Sequence, residues 1–110
     1  MKPFPERLYT ELIRDKFFGV MNFHTNTGKI VDVLSKEYAI EVDFTHKWAE
    51  AIGQCLQYAY ETNRSPCIVF IYDSVRDFRL LHSIRYTLKR LCITVYTIDY
   101  LTRDIYLLNV

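Results

Sequence analysis

The sequence predicts an α/β domain, a mixed β-sheet flanked by helices, from three observations. Trp48, Ala51, Ile52, Cys55, Leu56 and Ala59 recur at i, i+3, i+4 and mark an amphipathic helix. Residues 67–72, CIVFIY, form an apolar run without polar alternation, as a central strand buried on both faces requires. Residues 29–34 and 38–44 are two strand-like runs separated only by Ser35-Lys36-Glu37, a link short enough for an antiparallel hairpin.

Pro3 and Pro5 keep residues 1–5 out of regular structure. Leu8, Leu12, Ile13 and Phe17 repeat at helical spacing and predict a helix over 6–17, stopped by Gly19. Residues 20–24 alternate weakly and read as a first strand. Thr25-Asn26-Thr27-Gly28 is turn chemistry, because Asn and Gly tolerate positive φ. Strands over 29–34 and 38–44 follow, the first rich in β-branched residues. Thr45 or Asp43 is placed to cap the amphipathic helix, and Asn63 to end it.

After Arg64-Ser65-Pro66 comes the central strand 67–72. Val75, Phe78, Leu80 or Leu81, Ile84, Leu88 and Leu91 predict a helix over 73–90 with these side chains inward. Residues 92–98, CITVYTI, form a strand parallel to the previous one, since a helix crosses between them. Residues 104–110 supply a last edge strand. The main order is α-β-β-β-α-β-α-β.

At 110 residues the chain suits one domain, 1–110, with a single core. Half the residues are apolar, which argues against disorder. A net charge of +1 neither requires nor excludes a nucleic-acid partner; a local basic face matters more. Cys55, Cys67 and Cys92 lie apart in apolar runs, with no zinc or redox spacing, and read as buried thiols in a reducing compartment. No signal peptide and no apolar run near the ~20 residues of a membrane span are present, so a cytoplasmic location without membrane contact is expected.

The chemistry concentrates between residues 29 and 60. Side chains alternate along a strand, so Glu41 and Asp43 share one face and Ile40, Val42 and Phe44 the other. With the hairpin turn near Lys36, Asp32 falls opposite residues 40 and 41, where cross-strand Cβ atoms lie about 5 Å apart. Burying that much like charge unpaired costs several kcal/mol or forces protonation. A divalent cation removes the conflict, and carboxylate oxygens with water and phosphate are what Mg²⁺ prefers. On the helix each residue turns ~100°, so Lys47, Gln54 and Tyr58 line one row beside the apolar stripe. Lys47 follows closely on Asp43 and is placed to reach back to the carboxylates.

At these residues the chain resembles the PD-(D/E)XK nuclease superfamily, the restriction-endonuclease-like fold. Glu11, Asp32 and Glu41 fit in order and spacing the helical Glu, the strand Asp and the first residue of ExK. Gln54-Cys55-Leu56-Gln57-Tyr58 matches the QxxxY of the RecB-like branch. VDVLSKEYAIEVDFTHKWAEAIGQCLQYA is similar to a phrase, close to RVDxLTxxxAIEVDFAxKWxEAIGQ, of small bacterial and phage members. The departure is Asp43, which stands in the lysine slot; Lys47, one helical turn on, is placed to take over.

The resemblance implies a Mg²⁺- or Mn²⁺-dependent endonuclease that cuts nucleic acid, DNA first. Asp32, Glu41 and Asp43 would hold metal with help from Glu11. Lys47 would act on water or phosphate, and Gln54 and Tyr58 would shape the cleft. The alternative is a nuclease fold without chemistry that binds nucleic acid or a protein. Arg76, Arg79, Arg85 and Lys89 are the candidate phosphate contacts, against the competing account of a solvated helix face. Cutting both strands of a duplex implies a homodimer.

Overall fold

A computed structural model describes residues 5–108. The arm expected over 1–5 lies, but for Pro5, outside the described residues, as do residues 109 and 110 of the tail. The chain forms α1 (Glu6–Phe17), β1 (Val20–His24), β2 (Ile30–Leu34), β3 (Tyr38–Phe44), α2 (Trp48–Thr62), β4 (Ser65–Tyr72), α3 (Phe78–Arg90), β5 (Thr94–Asp99) and β6 (Ile105–Leu107). A 3₁₀ turn, Thr45–Lys47, precedes α2. The eight-element order read from the sequence therefore lacked this turn, and the edge strand expected over 104–110 is β6.

The six strands lie side by side in chain order. β1, β2 and β3 form an antiparallel meander, β3, β4 and β5 run parallel, and β6 returns antiparallel. Parallel neighbours need a crossover, which α2 and α3 provide. Both cover one face: Ala51 and Cys55 of α2 and Leu81, Ile84 and Leu88 of α3 share a core with Ile68, Phe70 and Val95. On the other face α1 sets Tyr9 and Ile13 against Val33, Ile40, Val42, Val69 and Ile71. β4 thus feeds both cores alternately, and residues 67 to 71 are fully buried. Each large apolar side chain so buried contributes about 1.5–3 kcal/mol, which is why this strand carries no polar residue there.

The turns follow their residues. Gly28 takes φ 86 and donates its N–H to Thr25 O at 3.0 Å, closing β1 on β2. Ser35 closes the next hairpin by accepting the Tyr38 N–H on Oγ at 2.9 Å. Asn63 ends α2 in the left-handed region, φ 54, as its residue type predicts.

Four expectations need correction. Neither Asp43 nor Thr45 caps α2 through its side chain. Thr45 Oγ1 instead donates to Ile71 O in the core, at 3.2 Å, and Asp43 Oδ1 accepts the Phe44 N–H. α3 starts at Phe78, because Asp73 Oδ1 accepts the N–H groups of Val75 and Arg76 and folds 73–77 into a turn. Val75 is consequently 91% exposed and Phe78 61%, and Leu91 is exposed at the far end; none is inward. Cys55 and Cys67 are buried, but Cys92 is exposed at φ 57 in the turn before β5. Finally, Phe18 and not Gly19 takes the left-handed residue that ends α1.

Gly19 serves close approach. A Cβ there would meet Val33 Cγ1 at 2.6 Å and Leu34 O at 3.0 Å. Gly19→Ala should therefore force α1 and β2 apart and lower stability by about 1–3 kcal/mol. Urea unfolding measures this, and an unchanged midpoint would mean that the junction yields freely.

Candidate functional site

The site is built where β2 and β3 stop pairing. Their ladder consists of Val33–Ile40 and Leu34–Ala39 and goes no further. At the next position Asp32 Oδ2 accepts the Val42 N–H at 2.8 Å, a side chain standing in for a backbone carbonyl. The β1–β2 ladder also omits its Asn22–Asp32 pair, and Asn22 adopts φ 55. The strand rotates here: Val33 belongs to the α1-side core, whereas Val31 packs with Tyr58 and Ala59 of α2. This irregularity, which resembles a bulge, aims Asp32 into the fork between β2 and β3.

Glu41 and Asp43 enter the fork from β3. They are only 4% and 7% exposed, and their register partners on β4 are Ile68 and Phe70 of the α2-side core. Burial pushes the Glu41 carboxyl far above the ordinary carboxylate range. A hydrogen bond with Asp32 and the charges of Asp32, Asp43 and Glu6 add to the effect. Burial also raises Asp43, against the opposing pull of the Phe44 N–H bond and of Lys47. The Tyr58 hydroxyl is pushed up to about 12 by burial and by the charges of Glu41 and Asp32. Behind them the Cys55 thiol rises to about 12, through burial first and Glu41 second.

Asp32, Glu41, Asp43, Lys47 and Tyr58 are thus brought into one electrostatic neighbourhood. Gln54 is exposed beside Tyr58 and lines a small cavity with it. Glu11 is not in this group; it pairs with Arg7 at 3.5 Å. The helical acid that reaches the site is Glu6, raised by burial and then by the charges of Asp43 and Asp32. Five residues turn a helix by ~500°, a net ~140°, so Glu6 and Glu11 cannot both face the fork. The buried residues of α1 are Tyr9, Thr10 and Ile13. Counting Tyr9 with the apolar stripe would have put Glu6, at i−3, on the inner face.

The basic residues of α3 do not form one patch. Arg76 is spent on Asp77, Nε to Oδ1 at 2.9 Å. Burial would raise Asp77, but hydrogen bonds from Arg76, the Asp73 N–H and Thr45 hold its carboxyl low. That network ties the 73–77 turn to the 3₁₀ turn carrying Lys47. Arg85 lies over the Tyr86 ring, 5.0 Å from its centroid. Arg79 and Lys89 are exposed and ten residues apart, ~15 Å along the helix.

The donor set of the fork is all oxygen, which suits a hard divalent cation. In the side-chain positions of this structure, no three His, Cys, Asp or Glu among the described residues gather as a ready-made cation cage. No family model, curated protein or solved structure matches the chain.

A carboxyl whose pKa is higher folded than unfolded binds its proton more tightly in the folded state. The stability it lends is complete below its ordinary value of 4.5 and is lost as pH rises toward the folded value. Glu41, Glu6 and Asp43 all act in this sense, so cation-free protein should weaken from about pH 4.5 upward. Glu41→Gln should flatten that decline and add ~1–2 kcal/mol at pH 8. Urea unfolding across pH checks both; equal destabilisation of the variant at every pH would contradict the account.

Proposed function

We propose that this chain is a Mg²⁺- or Mn²⁺-dependent endonuclease of the PD-(D/E)XK type, in the restriction-endonuclease-like fold, hydrolysing phosphodiester bonds in nucleic acid, DNA first. The observation that carries the proposal is the pair of buried carboxyls, Glu41 and Asp43, on a strand whose neighbour turns Asp32 toward it, with the charges of Glu6 and Lys47 within electrostatic reach. A mixed six-stranded sheet with helices on both faces is compatible with it. So much carboxylate in so little water is a liability for a structural protein and an asset for one that binds a cation.

Asp32, Glu41 and Asp43 would hold the ion, with Glu6 in the part first given to Glu11. Bound there, it supplies Lewis-acid charge that acidifies water and steadies a phosphodiester in transition. The Val42 and Phe44 N–H groups fix the carboxylates of Asp32 and Asp43 and so preset their orientation. Lys47, exposed at the mouth, is placed to orient an attacking water or to hold a phosphate oxygen. Tyr58 and Gln54 form the wall on the α2 side. One domain offers one such centre, so cutting a duplex would take two copies.

Asp43 in the lysine slot favours one alternative, a fold that still binds nucleic acid or a protein but no longer cuts. Cleavage of labelled single-stranded, duplex, flapped and four-way DNA and of RNA with Mn²⁺ or Mg²⁺ separates the two. Glu41→Ala and Asp32→Asn should each lower the rate by at least roughly 100-fold. Glu6→Gln should cost roughly 10–100-fold and Glu11→Gln nothing measurable. Wild-type rates in the Glu41 and Asp32 variants would place the chemistry elsewhere. No cleavage of any substrate would favour the binding module.

A further inference from the structure

Gly53 sits in the middle of α2, where glycine is a poor choice. It loses more backbone freedom on folding than alanine and contributes no packing. Two structural needs commonly justify such a residue, and neither applies. Gly53 has no positive φ, which among the described glycines belongs to Gly28 alone. A Cβ built on it meets nothing within 4 Å, in contrast to the crowded Gly19. The fold does not need the missing side chain; the space does.

That space is a cavity of about 220 Å³ lined by Lys29, Gly53, Gln54, Gln57 and Tyr58. Its inner wall, Tyr58, packs with Val31, next to Asp32, and Ala39, two residues before Glu41, and feels the charges of both acids. The cavity therefore adjoins the carboxylate fork on the α2 side. Its chemistry is mixed: one ammonium, two neutral amides and a phenol. Gln57 is oriented by donating Nε2 to Glu61 Oε2 at 2.8 Å. Glu61, the nearby carboxylate, also accepts from Thr27, is half-buried, and is held low by these hydrogen bonds and by the charge of Lys29. One cation, partly offset by Glu61, with several neutral hydrogen-bonding groups suits a sugar-phosphate unit better than an apolar ligand.

We infer that this cavity is the subsite for the nucleotide next to the scissile phosphodiester, with Lys29 on its phosphate, Gln54 and Gln57 on its sugar and base edges, and Gly53 left bare to admit it. The inference rests on the nuclease reading and adds Lys29, Gly53 and Gln57 to it. Lys29 would then set which side of the cut the strand must extend.

The test is binding of a short fluorescent single-stranded DNA in EDTA, where no cleavage interferes, with cleavage followed separately. Gly53→Ala should raise the unfolding temperature by roughly 4 °C. Gly53→Phe should unfold no earlier than the unaltered chain yet bind roughly tenfold or more weakly. Lys29→Gln should weaken binding and reduce the salt slope by about 0.7, one single-strand phosphate. The subsite is overturned if Gly53→Phe and Lys29→Gln bind and cut like the unaltered chain. If cleavage still depends on Glu41 in that case, the nuclease proposal stands without it. An unaltered chain that neither binds nor cuts overturns both.

Discussion

Everything in this molecule is arranged around like charge held out of water. Glu41 is buried, and the charges of Asp32, Asp43 and Glu6 add to that burial in making it harder to ionise. A chain selected for stability alone would place apolar residues there, as β4 does immediately alongside. Instead the surrounding structure supplies what the carboxylates lack. The Val42 and Phe44 N–H groups hold two of them, and Lys47 offers an opposing charge at the mouth. The Thr45 bond to Ile71 and the Asp77 network then fix the turn that carries Lys47. The polar centre leans on the apolar one: β3, which carries Glu41 and Asp43, pairs along its whole length with the doubly buried β4.

How much of this was legible in the sequence varies with how local its cause is. The hairpins were legible, because Thr25 to Gly28 and Ser35 to Tyr38 form their turns from their own side chains and backbone. So was the approach of the Asp32 side chain to Glu41, because alternation and a short turn bring residues 32 and 41 to neighbouring positions. The face of α1 was not. Its apolar residues surround the helix, and only packing against the sheet decides that Tyr9, Thr10 and Ile13 go in while Leu8 and Leu12 are partly buried. That ambiguity hid the fact that Glu6, and not Glu11, feels the charges of Asp32 and Asp43. The start of α3 was hidden likewise: Val75 and Phe78 continue the helical period, but Asp73 captures the local N–H groups first. The rotation of β2 at Asp32 has no sequence signature beyond Asn22, a residue tolerant of positive φ.

Two glycines show how differently one residue type can be required. At Gly19 the backbone of β2 comes too near for any Cβ, so the fold needs the absence. At Gly53 a Cβ would meet nothing, and the residue lines a cavity, so packing does not require the absence. The basic residues of α3 divide in the same way. Arg76 and Arg85 are held by their own neighbours, and Arg79 and Lys89 remain available to solvent.

The central proposal is that the fork binds a divalent cation. The unfolding temperature with and without Mn²⁺ tests it most directly, on the unaltered chain and on a variant carrying both Asp32→Asn and Glu41→Gln. An ion that binds only the folded state at about 100 times its Kd adds about 2.7 kcal/mol, a shift of roughly 10 °C or more for a domain of this size. The account predicts such a rise for the unaltered chain and none for the variant. No rise in either, or an equal rise in both, would contradict it.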